Sequence, residues 1–146
     1  NEKLEKNLQE SKAAFDEGMQ KSEELRNLIS QLDENHMDKD MAVLYEQAQD
    51  MFDADKKLFQ RFTTKDEQNI LKNCKKALKK NQSAAGKVDK LIAKLPADVS
   101  AEFTAKDEKA INAAWKAYSK LTSEQKTFLE DEQRLLDCYN KAYPEG

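Results

Sequence analysis

The sequence predicts an all-α protein with about five helices, arranged as two tandem three-helix bundles that share a long central helix. Three observations support this prediction. Glycine and proline, which interrupt helices and form loops, number only 3 and 2 in 146 residues. Apolar residues recur at helical spacing, without the alternation of strands. The helical pattern also repeats along the chain, which indicates two similar bundles. We place a diverged first bundle at residues 1–84 and a second bundle at residues 85–146.

The central helix is predicted from the residues between 71 and 95, where apolar side chains recur every third and then fourth position. This seam consists of Leu71, Cys74, Leu78, Asn81, Ala85, Val88, Ile92 and Leu95. The opposite face carries Lys72, Lys75, Lys76, Lys79 and Lys80. Such lysines ordinarily form a solvated face, and the sharper hypothesis is a binding face for an anionic partner, with steep salt dependence. A break between Asn81 and Gly86 is the alternative to a continuous helix.

The first helix is predicted from Glu2 to Leu32, and its seam matches the central one. The seam consists of Leu4, Leu8, Ser11, Phe15, Gly18, Ser22, Leu25, Ile29 and Leu32. One constant shift along the chain places Leu8 on Leu71 and Leu25 on Val88. The sequence therefore predicts an internal repeat.

The second helix is predicted from Asp38 to Arg61, after a turn at Asp33–Met37. Its apolar positions are Met41, Leu44, Tyr45, Ala48, Met51, Phe52, Leu58, Phe59 and Phe62. Thr64 and Glu67 then have the spacing of a capping box. They begin the central helix, which we extend to Leu95 because Pro96 cannot continue it.

Two more helices are predicted in the second bundle. Thr104, followed by Asp107, begins the fourth helix, whose inward face is Ile111, Ala114, Trp115, Tyr118 and Leu121. Thr122, with Gln125, begins the fifth helix, whose buried side is Phe128, Leu129, Leu135, Cys138, Tyr139 and Ala142. Trp115 is interpreted as a core anchor, with an exposed binding residue as the alternative. Val99 and Phe103 are expected to pack against an end of the bundle.

The residue types argue against catalysis and against several classes of partner. The single histidine, His36, lies in a predicted turn, and the two cysteines, Cys74 and Cys138, lie on helix seams as small hydrophobic residues. We therefore predict no catalytic, cofactor-binding or metal-binding residues. A net charge of −3 predicts no affinity for nucleic acid. No apolar run is long enough for membrane insertion.

Residues 88–138 resemble a helical repeat found in multimodular proteins of Gram-positive cell surfaces and cell walls. The resemblance begins with the apolar helix Val88–Pro96, which ends in Leu-Pro. It continues through Asp107 and the alanine-rich stretch 110–117 to the run Tyr118–Lys126, which contains Tyr-x-x-Leu-Thr-x-x-Gln-Lys. Leu129, Asp131, Leu135 and Cys138 close the pattern. The first half departs from it, since Asp33 replaces the proline and no Gln-Lys follows Thr64. The resemblance implies a three-helix bundle and an extracellular spacer or accessory module.

The leading functional prediction is a non-catalytic spacer within a larger cell-surface protein, of which this chain is a fragment. Its partners would be another protein or an anionic surface polymer. The alternative is a protein-recognition bundle, either an adhesin-type module or an intracellular, spectrin-like adaptor. The free thiols favour a cytoplasmic location for that alternative.

Overall fold

The computed structural model describes residues 2–144 together with their side chains, except those of Ser11 and Ala14, and all the regular secondary structure in this range is helical. The seam position Ser11 and the last two residues, Glu145 and Gly146, therefore lie outside the described part. Seven α-helices and no strands occur within residues 2–144, so the all-α prediction is confirmed. The helices are α1 (Glu2–Ser30), α2 (Lys39–Ala54), α3 (Lys56–Phe62), α4 (Lys65–Ile92), α5 (Ala105–Ser119), α6 (Ser123–Lys126) and α7 (Glu132–Ala142).

The prediction of five helices is wrong because two of the predicted helices are interrupted. The predicted second helix breaks at Asp55, whose N–H bonds to the carbonyl of Phe52 in a tight turn. The Asp55 carboxylate then accepts a hydrogen bond from the N–H of Leu58, so that Asp55 caps α3. The predicted fifth helix ends after α6, and the carboxylate of Asp131 caps α7 in the same manner.

The predicted capping boxes are confirmed. The Thr64 N–H donates to Glu67 Oε1 at 2.9 Å, and the Glu67 N–H donates to Thr64 Oγ1 at 3.1 Å. The boxes that begin at Thr104 and Thr122 form likewise. Glu67 also accepts a hydrogen bond of 2.8 Å from the Arg26 guanidinium, which connects α4 to α1.

The central helix α4 is continuous from Lys65 to Ile92, through Gly86. The prediction of continuity is therefore confirmed, and the break between Asn81 and Gly86 does not occur. The predicted end at Leu95 is too late, because residues 93–95 form a turn in which the Leu95 N–H bonds to the carbonyl of Ile92.

The described residues divide into two compact units, and α4 contributes to both. Unit 1 consists of residues 2–35 and 40–77, and unit 2 of residues 36–39 and 78–144. Within unit 1, α1 packs on α3, and within unit 2, α5 packs on α7.

Each unit has an apolar core of its own. Unit 1 buries Leu25, Ile29, Ala42, Tyr45, Ala48, Phe59, Leu71 and Cys74. Unit 2 buries a cluster of Val88, Ile92, Leu95, Ile111, Ala114, Leu135 and Cys138. Matched positions of the sequence repeat have the same role, since Leu25 and Val88 are both buried, and so are Ile29 and Ile92.

Some predicted core residues are instead exposed. Leu4, Leu8 and Phe15, on the predicted seam of the first helix, have exposed fractions of 72%, 73% and 52%. The contacts of α3 with α1 begin at Phe15 and Gly18, and every side chain that the structure describes from residue 2 to residue 17 is exposed. Val99 is also exposed, because it lies in a surface turn stabilised by the Asp98 carboxylate.

Gly18 of α1 and Asn81 of α4 occupy matched positions of the repeat, and they interrupt the apolar seam in different ways. Gly18 has no side chain, and a Cβ added there would lie 3.0 Å from Leu58 Cδ1, so the glycine permits close packing of α1 on α3. Asn81, at the matched position of the second copy, donates to the Met37 carbonyl at 2.9 Å and accepts from Gln125 Nε2 at 3.2 Å. A polar residue on the apolar seam of α4 is thereby satisfied within unit 2.

The Gly86→Ala substitution should raise the free energy of unfolding by about 0.5–1 kcal/mol, since glycine is unfavourable inside a helix. A Cβ at Gly86 would meet no atom within 4 Å, so no clash opposes the gain. Chemical denaturation followed by circular dichroism measures the change. Gly18→Ala is the matched control: the same helix preference is opposed by the side chains of Leu58 and Phe62, and its gain should be smaller or negative. Equal effects at both positions would contradict this account.

Candidate functional site

The five lysines proposed as an anionic-partner face are all exposed on α4. Their spacing of three and four residues places them on one side of the helix, and none forms an ion pair with another residue of the described part. The face consists of Lys72, Lys75, Lys76, Lys79 and Lys80. The exposure leaves these lysines accessible to a ligand, and the binding face stays a prediction.

An open groove of about 450 Å³ lies in unit 2, along α4 and α5. Small and apolar residues line it, namely Ala84, Val88, Ala113, Ala117 and Leu121. Three lysines, Lys87, Lys116 and Lys120, also line it. The groove itself needed the pairing of two helices, so sequence reasoning missed it.

Four aromatic side chains form a cluster on α5 and the end of α7, which we call the aromatic cluster: Trp115, Tyr118, Tyr139 and Tyr143. The rings of Trp115 and Tyr139 stack with centroids 3.8 Å apart. Trp115, Tyr118 and Tyr139 are half-buried against the core of unit 2, and Tyr143 is exposed. Trp115 therefore lies at the boundary of the core. It is neither the fully buried core anchor nor the fully exposed binding residue that the sequence suggested.

Hydrogen bonds hold the aromatic cluster in place. The Tyr118 hydroxyl donates to Glu132 Oε2 at 3.1 Å, and the Tyr143 hydroxyl donates to Asn112 Oδ1 at 2.8 Å. The Lys126 ammonium lies 4.5 Å from the centre of the Tyr118 ring. Burial, and then the hydrogen bond to Glu132, raise the pKa of Tyr118. The phenol is thus kept neutral, and this cluster offers flat apolar surface with fixed polar edges.

Both cysteines are free and fully buried, as predicted. Burial, with smaller contributions from the carboxylates of Glu34 and Asp33, raises the pKa of Cys74 to about 11. Burial also raises the pKa of Cys138, whose thiol lies 3.5 Å from the carbonyl oxygen of Pro96. Thiolate is the nucleophilic form of cysteine, so neither side chain is suited to act as a nucleophile at neutral pH.

The raised pKa of Cys74 predicts a loss of stability in alkali. Between about pH 8.5 and about pH 11, the unfolded chain loses the thiol proton and the folded chain keeps it, so the free energy of unfolding falls as pH rises. Cys74→Ala lacks this titration. We expect its destabilisation relative to the native chain, measured by urea unfolding, to shrink across that interval. The pKa of Tyr45 is also raised, first by burial and then by the charge of the Cys74 thiolate, so Cys74→Ala removes that part of the Tyr45 shift as well and acts in the same direction. A difference independent of pH would contradict the prediction.

His36 is exposed, and its Nδ1 lies 3.0 Å from Glu124 Oε1 within unit 2. This hydrogen bond lowers the pKa of Glu124. No group of three or more histidine, cysteine, aspartate or glutamate side chains within the described residues could hold a metal ion. Nor is any described helix long and apolar enough to cross a membrane.

Comparison with known proteins gives no match to a family model, to a curated protein or to a solved structure. The resemblance of residues 88–138 to the Gram-positive surface repeat therefore stays a prediction.

Proposed function

We propose that the chain is a non-catalytic structural module, a spacer built from helical units. The observation that carries this proposal is α4, a single helix of 28 residues that runs without a break from the core of one unit into that of the other. Leu71 and Cys74 are buried in unit 1, and Val88 and Ile92 are buried in unit 2. A helix anchored at both ends resists bending because each of its turns is held by backbone hydrogen bonds.

The finer arrangement belongs to the same proposal. We take the two units as tandem three-helix bundles in a spectrin-like arrangement, with the domains at 1–84 and 85–146. Support comes from the order of elements. The long helices α1 and α4, of 29 and 28 residues, are followed by α2 and α5, of 16 and 15 residues, and then by the short helices α3 and α6. Sharing a helix makes the stability of neighbouring units interdependent, as in other repeat proteins.

The chemistry of the polar and nucleophilic side chains also favours a structural role. The two thiols are protonated and enclosed, and the polar seam residue Asn81 has both ends of its amide occupied within unit 2. The capping residues Thr64, Thr104 and Thr122 are engaged with their own helices. These groups stabilise the fold and are not arranged for proton or acyl transfer.

A location on the cell surface or in the cell wall, within a multimodular protein, is part of the proposal and rests on the resemblance of residues 88–138. A cytoplasmic adaptor is the alternative, and the buried free thiols favour it. A partner, in either case, would be another protein or an anionic polymer.

Distance measurement between spin labels tests the spacer. Lys72→Cys and Lys90→Cys place labels on two exposed positions of α4, and the native thiols are too deeply buried to react. At a rise of 1.5 Å per residue, the two backbone positions are separated by about 27 Å. We expect one narrow distance distribution, unchanged by salt. A broad or bimodal distribution would mean that α4 bends, and the spacer function would be lost.

Protein recognition is the second candidate, because the aromatic cluster places tyrosine and tryptophan, the residues enriched at binding hot spots, at the surface of unit 2. The lysine face on α4 is the competing surface, for an anionic polymer. Binding to heparin at low salt, measured by calorimetry, would support the polymer if it weakens steeply with salt and is lost when Lys75, Lys76 and Lys79 become alanine. No detectable heparin binding at low salt would rule out the lysine face.

A further inference from the structure

An apolar stripe lies exposed along the amino-terminal half of α1. Leu4, Leu8, Phe15 and Met19 follow one another at spacings of four, seven and four residues, which places them on one side of the helix. Their exposed fractions are 72%, 73%, 52% and 43%. Phe15 is covered on one edge by Phe62, with ring centroids 5.5 Å apart, and Leu8 is almost fully open. A contiguous apolar stripe of this kind marks a surface that packs against a partner.

The internal repeat shows what the same positions do when they are covered. The shift that relates the two copies places Glu2, the first residue of α1, on Lys65, the first residue of α4. It also places Leu8 on Leu71, which is only 4% exposed, and Phe15 on Leu78, which is only 6% exposed. Further along the two helices, Leu25 and Val88 are equally buried. The difference between the two copies is thus confined to the amino-terminal half of α1.

Leu71 has neighbours on α2 and α3, whereas Leu8, at the matched position of α1, is 73% exposed. Leu71 lines a groove together with Gln49 and Phe52 of α2 and Gln60 of α3. The side chain of Gln68, one turn before Leu71, donates to the Gln60 carbonyl at 3.4 Å. The first half of α4 therefore packs beside α2 and α3, as the third helix of unit 1.

We propose that residues 2–17 are the third helix of a further helical unit, and that a helix pair of the α2–α3 type, ahead of Glu2 in the same polypeptide, covers Leu4, Leu8 and Phe15. This inference rests on the proposed spacer function, and it states which helices would cover the exposed amino-terminal half of α1. A second copy of the chain is a poor occupant, because the inward faces of its own α2 and α3 are already buried, with Ala48 and Phe59 only 0% and 3% exposed.

The experiment is thiol labelling of Leu8→Cys in two proteins. One is the chain of 146 residues, and the other is a tandem chain in which residues 1–64 are repeated ahead of Glu2. The added residues contain no cysteine, and Thr64 then precedes Glu2 as it precedes Lys65. We expect rapid labelling in the single chain and labelling slowed by more than about tenfold in the tandem chain, since a covered thiol reacts only when its helix opens. Glu10→Cys, on the opposite side of α1, is the matched control and should label rapidly in both.

Three outcomes would overturn the inference. Unchanged labelling of Leu8→Cys in the tandem chain would show that the added helices do not cover the stripe. If circular dichroism showed that the added residues remain unfolded, the added helices would again not cover the stripe, because packing on the stripe is what should fold them. Labelling of the single chain that slows with protein concentration would identify a second copy as the occupant. None of these results alters the distance between labels on α4, so the spacer proposal is judged separately.

Discussion

Ile111→Ala should lower the free energy of unfolding of unit 2 by about 2–5 kcal/mol, the largest effect that we expect from a single core truncation. Ile111 is completely buried, in a cluster that includes Ala114, Leu135 and Cys138. Removing its outer carbons loses apolar burial and leaves a cavity, because the helices around it are held by several other contacts and cannot close the space.

Trp115 offers a direct measurement of this effect, since it is the only tryptophan and lies at the boundary of the same cluster. Urea unfolding followed by its fluorescence reports on unit 2, and circular dichroism reports on all helices. Val43→Ala is the control, because Val43 is 51% exposed and its truncation should change stability by less than about 0.5 kcal/mol. If Ile111→Ala lowered the free energy of unfolding by less than about 1 kcal/mol, α5 would not have the packing described for it.

Ser83→Pro should lower the free energy of unfolding by about 3 kcal/mol or more, although the Ser83 side chain is exposed on the surface of α4. Proline removes a backbone hydrogen bond from the middle of α4, and its ring collides with the preceding turn. The substitution therefore destabilises α4, the helix that contributes to both units. If α4 couples the units, the native chain should unfold in one transition, and the proline variant should unfold in two.

The same two probes distinguish these outcomes, because fluorescence follows unit 2 and circular dichroism follows the whole chain. Ser83→Ala is the matched control, and a good helix former at an exposed helix position should leave stability unchanged or slightly higher. Coincident transitions in the proline variant would indicate that the units are coupled by something other than the continuity of α4. Separate transitions in the native chain would indicate that they are not coupled.

The fold class and most helix ends could be predicted from the sequence because they depend on local interactions. A capping box joins residues three positions apart, so Thr64 with Glu67 and Thr122 with Gln125 could be recognised without tertiary information. The burial of Cys74 followed from its position on a periodic seam. The break at Asp55 could not be predicted with the same rules, because aspartate is tolerated on a helix surface and only the turn that it forms identifies it as a cap.

Most of the candidate surfaces could be identified only in the folded structure. The lysine face of α4 could be predicted because all five lysines lie on one helix. The groove beside Lys87 and Lys116 combines two helices, and the aromatic cluster combines Trp115 of α5 with Tyr139 of α7. Periodicity indicates that each residue faces inward or outward, and it does not indicate which other residue it meets.

The sequence by itself determined that this protein is helical, where α4 begins, and which seam positions recur in the second copy of the repeat. These properties depend on side chains within one or two helical turns of each other. Only the tertiary structure decided that Leu71 is buried while Leu8, at the matched position, is exposed. The two residues have the same local pattern, and burial depends on whether a neighbouring helix is long enough and close enough to exclude water.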